Sequence, residues 1–369
     1  MKKALSLLLA LTMSLALASC ASSETTTETT APATTETTTA PATTEAVESE
    51  LPDPATAAPI VVYLNDFDAV IGDAFYEATG YQVEVFVGNG AEIASRIEAE
   101  GDNPLWDVVW MDSMPSMYAM GENGQLLTNY EIENAANLTD YYAEIVPEDG
   151  RYYPTGAHSA GLLVYNTDVY TAETAPKTFD DLLNADAGYK VGMANPSVAA
   201  PAYPLVAWFM DEYRTDDSLD GGFEFFSTLL DNGMTIYPKN PQIVTALSSG
   251  EIDVAILQES NAYDMLNTGE PVALIWPEDG APASVRVAGI CAQSDNVAIA
   301  KLFIEFLLEA ETQQMLVDLG DEGYFTPSVE GAYMNDQRAA DNATLVYADT
   351  PWAAANEAEI KAWFADQAG

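Results

Sequence analysis

Basic side chains are scarce: Lys and Arg together number 12 against 58 Asp and Glu, for a formal net charge of −46. So acidic a chain repels phosphate backbones and anionic lipid, which excludes nucleic acid and an anionic membrane surface as partners. The plain use of the charge is solubility. Histidine occurs once, as His158, so acyl-transfer triads built on imidazole are poorly served. Cysteine occurs twice, as Cys20 and Cys291, too few for a disulfide framework. The apolar stretch from Ala4 to Ser19 falls short of the roughly 20 residues a spanning helix needs. No long internal repeat is present.

What the N-terminus does contain is an export pattern. Lys2 and Lys3 precede the apolar stretch, which ends Leu17-Ala18-Ser19-Cys20. That ending resembles a bacterial lipobox, in which the peptide is cut before Cys and the thiol is diacylated. The expectation is a signal peptide over 1–19 and lipid on Cys20, holding the protein outside the cytoplasmic membrane. An uncleaved membrane anchor is the competing reading. Residues 20–58 are low-complexity Thr, Glu, Ala and Pro, with too little apolar surface to offset chain entropy, and read as a disordered stalk. Cys291 sits in the apolar run Val287–Ala292 and reads as a buried small hydrophobe.

From Pro59 onward strand and helix patterns alternate. Strand-like runs at Ile60–Leu64, Gln82–Val87, Asp107–Met111, Val191–Met193, Met234–Tyr237 and Asp253–Leu257 are each followed by a helical pattern. Gly80, Gly101 and Gly250 stand as helix stops. The pattern predicts an α/β fold with mostly parallel sheets, finished by helices at Val297–Leu308, Glu311–Leu319 and Ala353–Ala365. In open α/β sheets ligands bind beyond the carboxyl ends of the strands, where helices begin with unpaired N–H groups. Ser113, Ser197 and Asn240 fall at such places, each close to a proline. Capping explains each of them as well as ligand contact does. Aimed at one cleft, three such helix starts would receive an oxygen-rich ligand.

Several stretches resemble one branch of the extracellular solute-binding proteins of ABC importers, the branch of ferric-ion and 2-aminoethylphosphonate binders. They are Gly90–Pro104 followed by Asp107-Val108-Val109-Trp110, Leu163–Thr167, Gly192–Pro196 with Ala200–Pro204, and Pro277–Pro282. The resemblance implies a two-lobed periplasmic-binding-protein-like fold with crossover hinge strands and a ligand cleft between the lobes. Lobe one would be 59–131 plus 284–335, and lobe two 132–283 plus 336–369. It implies a monomer that hands a small solute to permease subunits, with no cofactor and no catalysis.

The resemblance also implies site residues. Asp112, after the third strand, and Glu259, at a helix start, fall at ligand-contacting places; Ser197 and Asn240 align with cleft contacts; and His158 and Ser159 lie near the hinge. Several have a bland alternative: a helix-capping or surface carboxylate for Asp112, an ordinary first-turn Glu favoured by the helix dipole for Glu259, and a structural role for the lone histidine. Trp110 and Tyr203 are aromatic-wall candidates that core packing explains equally well. One departure stands out. Ferric members carry two adjacent Tyr where this chain reads Gln258-Glu259-Ser260-Asn261, and its own pair, Tyr152-Tyr153, lies in another segment.

Helix starts favour an anionic group, while Asp112 and Glu259 favour a cationic one. A zwitterion bearing a phosphonate, phosphate or carboxylate satisfies both, 2-aminoethylphosphonate-like compounds first. The rival is a metal, ferric ion above all, held by Asp112, His158 and Glu259. From other classes, an extracellular hydrolase using the Asp–Glu pair and a stalked adhesin remain as alternatives.

Overall fold

The computed structural model describes residues 50–319, 323–341 and 343–368. The expected signal, Cys20 and most of the expected stalk lie outside them. The end of that stalk is described, and it docks on the folded part: Tyr81 Oη donates to the Pro52 carbonyl at 2.6 Å, and Ala57 packs against the first core.

The chain opens with β1 (Ile60–Leu64), α1 (Ile71–Thr79), β2 (Val83–Val87), α2 (Gly90–Glu100), β3 (Val108–Met111) and α3 (Met114–Glu122). A short α4 (Asp140–Glu144) precedes β4 (Tyr153–Ser159) and β5 (Leu162–Asn166). Then come β6 (Val191–Ala194), α5 (Ala202–Glu212), α6 (Asp220–Asp231), β7 (Thr235–Tyr237), α7 (Asn240–Ser249), β8 (Val254–Leu257), α8 (Glu259–Thr268) and β9 (Val272–Ile275). The long β10 (Ala281–Ile290) leads to α9 (Val297–Leu307) and α10 (Ala310–Val317). The chain ends with α11 (Asp336–Ala340), β11 (Leu345–Val346) and α12 (Thr350–Gln367).

Two sheets form. In the first, β2, β1 and β3 are parallel, and β10 joins antiparallel to β3 and to β4. In the second, β7, β6 and β8 are parallel, and β5 runs antiparallel between β8 and β9. The sheets are therefore mixed rather than mostly parallel. The antiparallel pairings all involve the strands on either side of the crossings.

Core membership divides the chain near Ser159 and Ala160. Buried apolar residues from Ile60 to Ala157 and from Val285 to Val329 share one core, while those from Ala160 to Ile256 divide between two others, one of which takes in Ala353, Ile360 and Phe364. Residues 132–157, expected in lobe two, thus lie in the first core, because β4 pairs with β10. The crossings are the β4–β5 turn, where the Ala160 amide donates to the Pro282 carbonyl at 2.8 Å, and the β9–β10 link. α12 packs on both α3 and α5. Its Glu357 accepts from Ser116 of α3 at 2.6 Å, and Lys361 lies over the Tyr203 ring of α5. No helix among the described residues is long and apolar enough to cross a membrane.

Candidate functional site

A cleft of about 650 Å³ lies between the two sheets. Its walls are the loops at the carboxyl ends of the strands, where the sheet rule places ligands. The first wall comes from the loop after β1 (Asn65, Asp66, Phe67), from Trp110 of β3, Thr155 and His158 of β4, Arg286 of β10, and Tyr324 and Phe325. The second comes from Ala199–Pro201 after β6, Lys239 and Asn240 after β7, and Gln258, Ser260, Asn261 and Asp264 after β8.

The first wall is organised by one guanidinium. Arg286 sits in a strand otherwise buried and mostly apolar, and a charge there requires partners. Its Nε reaches Asp112 Oδ1 at 2.5 Å, its Nη2 reaches Asp112 Oδ2 at 2.8 Å, and Nη2 also pairs with Asp66. Asn65 ties the carboxylates together, donating to Asp66 Oδ2 and Asp112 Oδ2 at 3.1 Å each. The guanidinium lies 4.3 Å from the centre of the Phe67 ring, which stacks on Trp110 at 5.7 Å. Phe67 holds φ = 63°, a left-handed conformation costly for an aromatic residue and one that occurs at ligand-binding loops.

Asp112 is fully buried beneath this wall and does not line the cleft. Burial opposes its charge, but Arg286, with nearby His158, outweighs burial and holds the carboxyl well below the usual carboxylate range. His158 lines the cleft, is 4% exposed, and has an Nε2 with no hydrogen-bond partner among the described residues. Burial, against the pull of Asp112, lowers its pKa to about 4, so the imidazole is neutral at physiological pH.

The second wall supplies N–H groups. α7 and α8 both start at the cleft without a side-chain cap, at Lys239 and Gln258 respectively. The positive ends of their dipoles favour a negative group, although in α7 Pro241 carries no N–H and the Gln242 amide donates to the Lys239 carbonyl at 3.2 Å. Asn240 Nδ2 donates to Gln258 Oε1 at 2.9 Å, linking the two starts. Lys239 is half-buried, and no ion pair among the described residues involves it.

Of the residues expected at the site, His158 and Asn240 line the cleft, and so does Trp110. Asn240 is the first helical residue of α7 rather than its cap. Ser113 caps α3, accepting from the Ser116 amide at 3.4 Å, and is buried away from the cleft. Ser159 is buried at the crossing, where its Oγ accepts from the Gly161 amide at 3.2 Å. Ser197 opens no helix; its amide and hydroxyl donate to Asn195 Oδ1, and α5 begins at Ala202. Glu259 begins α8 fully buried, with Oε2 accepting from Arg338 Nε at 3.1 Å and the Ser159 backbone amide also reaching the carboxyl. Burial raises its pKa to about 7, against the lowering by Arg338. Tyr203 is a core residue whose hydroxyl donates to the Ala353 carbonyl.

The metal set does not assemble: two of its carboxylates, on Asp112 and Glu259, are committed to guanidinium groups. Among the described residues no cluster of three His, Cys, Asp or Glu is placed to hold an ion. Tyr152 and Tyr153 are buried in the first core.

The residues missed by sequence reasoning are Asn65, Asp66, Phe67, Lys239, Arg286, Tyr324 and Phe325. Arg286 had a signal, as a lone charge in the apolar run before Cys291. Asn65–Phe67 had another, since they directly follow a recognised strand. Tyr324 and Phe325 follow α10 in no recognisable pattern.

Two lobes, two crossings and a polar cleft at the strand ends define a clamp-type binding protein. Residues 71–345 match the sequence model of the bacterial extracellular solute-binding proteins, and the chain belongs to that family. It is similar to a Salmonella typhimurium protein named as a 2-aminoethylphosphonate-binding periplasmic protein, with 25% identity over 69% of this chain and 73% of that one. An uncharacterized protein of Haemophilus influenzae is 24% identical over 71% of this chain and 76% of its own. Among solved structures, AfuA of Actinobacillus pleuropneumoniae, with exogenous fructose-6-phosphate bound, shares the fold at a TM-score of 0.72. It has 18% identity and covers 84% of this chain and 98% of its own. Iron-bound HitA of Pseudomonas aeruginosa also gives 0.72, at 19% identity over 84% and 99%. The protein is the solute-binding component of an ABC importer.

Proposed function

We propose that this receptor is tethered by lipid on Cys20 and closes its lobes, without catalysis, on a small solute carrying a phosphonate, phosphate or carboxylate group. The observation that carries this reading is the second wall, where two uncapped helix starts and Lys239, in no ion pair among the described residues, face the same cleft. They suit the anionic end of the solute. An amino end, as in 2-aminoethylphosphonate, suits Asp66 and Asp264, two of the three acidic side chains that line the cleft, the third, Glu92, being engaged in the α2 capping box. Asp112 and Glu259 then act from behind, Asp112 by fixing Arg286 and Glu259 by fixing Arg338. The name of the Salmonella relative supports a phosphonate.

A thermal-shift panel of phosphonates, phosphate esters, amino acids, polyamines and metal ions tests the reading. A solute at one hundred times its dissociation constant adds about 2.7 kcal/mol of stability. Stabilisation by phosphonates or phosphate esters is expected. Stabilisation by metal ions or polyamines alone would contradict it.

A further inference from the structure

Gly90 is the first residue of α2, on the rim of the first wall, and it is buried. Its backbone is not in the left-handed region, so conformation does not demand glycine here. Space does. A Cβ at this position would lie 2.9 Å from both Cα and Cβ of Ala200 and 3.3 Å from its amide nitrogen. Ala200 belongs to the opposite wall, in the loop between β6 and α5. The neighbouring Ala91 amide donates to the Val198 carbonyl at 3.5 Å, a backbone bond across the cleft. Ala199 and Ala200, apolar residues on the rim of a cleft, are 7% and 5% exposed. The α2 end is rigid, because Asn89 and Glu92 form a reciprocal capping box.

We propose that Gly90 and Ala200 form the closure stop of the clamp, a backbone-to-backbone latch whose glycine sets how closely the lobes approach. The latch uses no atom of the solute, so the two lips meet transiently in the empty receptor as well. Any side chain at position 90 holds the lips apart, because the atoms it meets, the Cα, Cβ and amide nitrogen of Ala200, are fixed by the backbone and cannot rotate away. The inference rests on the two-lobe clamp and not on the identity of the solute.

Two measurements on the solute-free full chain test it. In the double variant Gly90→Cys with Ala200→Cys, mild oxidation should give a 90–200 disulfide, located by peptide mapping. The lips need to part only slightly to reach the Cβ separation of roughly 3.5–4.5 Å that a disulfide requires. Free alkylation of both thiols without any cross-link would overturn the proposal. In Gly90→Val, amide hydrogen exchange over 198–202 should rise several-fold while the thermal midpoint stays within a degree or two. Gly90→Ala should lie between, since alanine at a helix start does not harm the helix. Unchanged exchange at 198–202 in Gly90→Val would equally overturn it.

Discussion

Arg286 and Asp112 meet in a two-point ion pair, Nε to Oδ1 at 2.5 Å and Nη2 to Oδ2 at 2.8 Å, with the carboxylate wholly shielded from water. The pair makes Asp112 a support for the cleft wall rather than part of its surface. Asp112→Asn should destabilise the protein by about 3 kcal/mol, because it removes the carboxylate charge that pairs at two points with a buried guanidinium. Chemical denaturation checks this. The folded-state pKa of Asp112 is depressed, so its contribution is complete above the unfolded carboxylate value near 3.9 and is lost as pH falls below it. The variant should therefore lose less stability than the wild type below about pH 4.

His158 is the only histidine, so its ring protons can be followed without assignment. Buried at the cleft wall, it should titrate near the value of about 4 that burial imposes. A proton NMR titration reporting a midpoint near 6.5 would contradict the burial.

Glu259 and His158 should drive stability in opposite directions over one pH window. The folded pKa of His158 is lowered to about 4, so the unfolded chain takes up the proton first and stability falls as pH drops from 6.5. The folded pKa of Glu259 is raised to about 7, so the folded chain holds the proton longer and stability falls as pH rises from 4.5. Between pH 4.5 and 6.5 these two slopes oppose each other. His158→Gln should leave stability falling as pH rises across the window, and Glu259→Gln should leave it rising. Each slope approaches about 1.4 kcal/mol per pH unit, measured by urea midpoints at a series of pH values. Parallel profiles in both variants would contradict the assignments.

The repeated strand-to-helix rhythm was legible because apolar runs such as Ile60–Leu64 and Val254–Leu257 stand against glycine-terminated helices. The crossing was less so. Tyr153–Ser159 contains proline, glycine and histidine and carries no alternation, and it becomes a strand only through pairing with β10. The cleft was legible in part for a related reason. Asn240 and His158 line it, whereas Asp112 and Glu259, ligand-contacting places by the family resemblance, lie buried behind its walls. What sequence could not reveal was their partners, Arg286 and Arg338, 174 and 79 residues away along the chain. A guanidinium that arrives through tertiary structure turns a candidate ligand into a support.

The proposed lipid anchor rests on Leu17-Ala18-Ser19-Cys20, which resembles a lipobox. Cys20→Ala should move the protein from the membrane fraction to the soluble envelope fraction or the medium. Full membrane retention of a processed chain would contradict lipidation at this residue.

Calorimetric titration of phosphonates and phosphate esters into the wild type and Lys239→Met tests the central claim most directly. Wild type should bind one solute per chain. Loss of the Lys239 ammonium should weaken that solute by roughly tenfold to a hundredfold, the worth of one charged hydrogen bond, with the thermal midpoint of the empty protein unchanged. Equal affinity in the two proteins would contradict the account, as would binding that requires ferric ion, gives a visible charge-transfer band and is lost in His158→Ala.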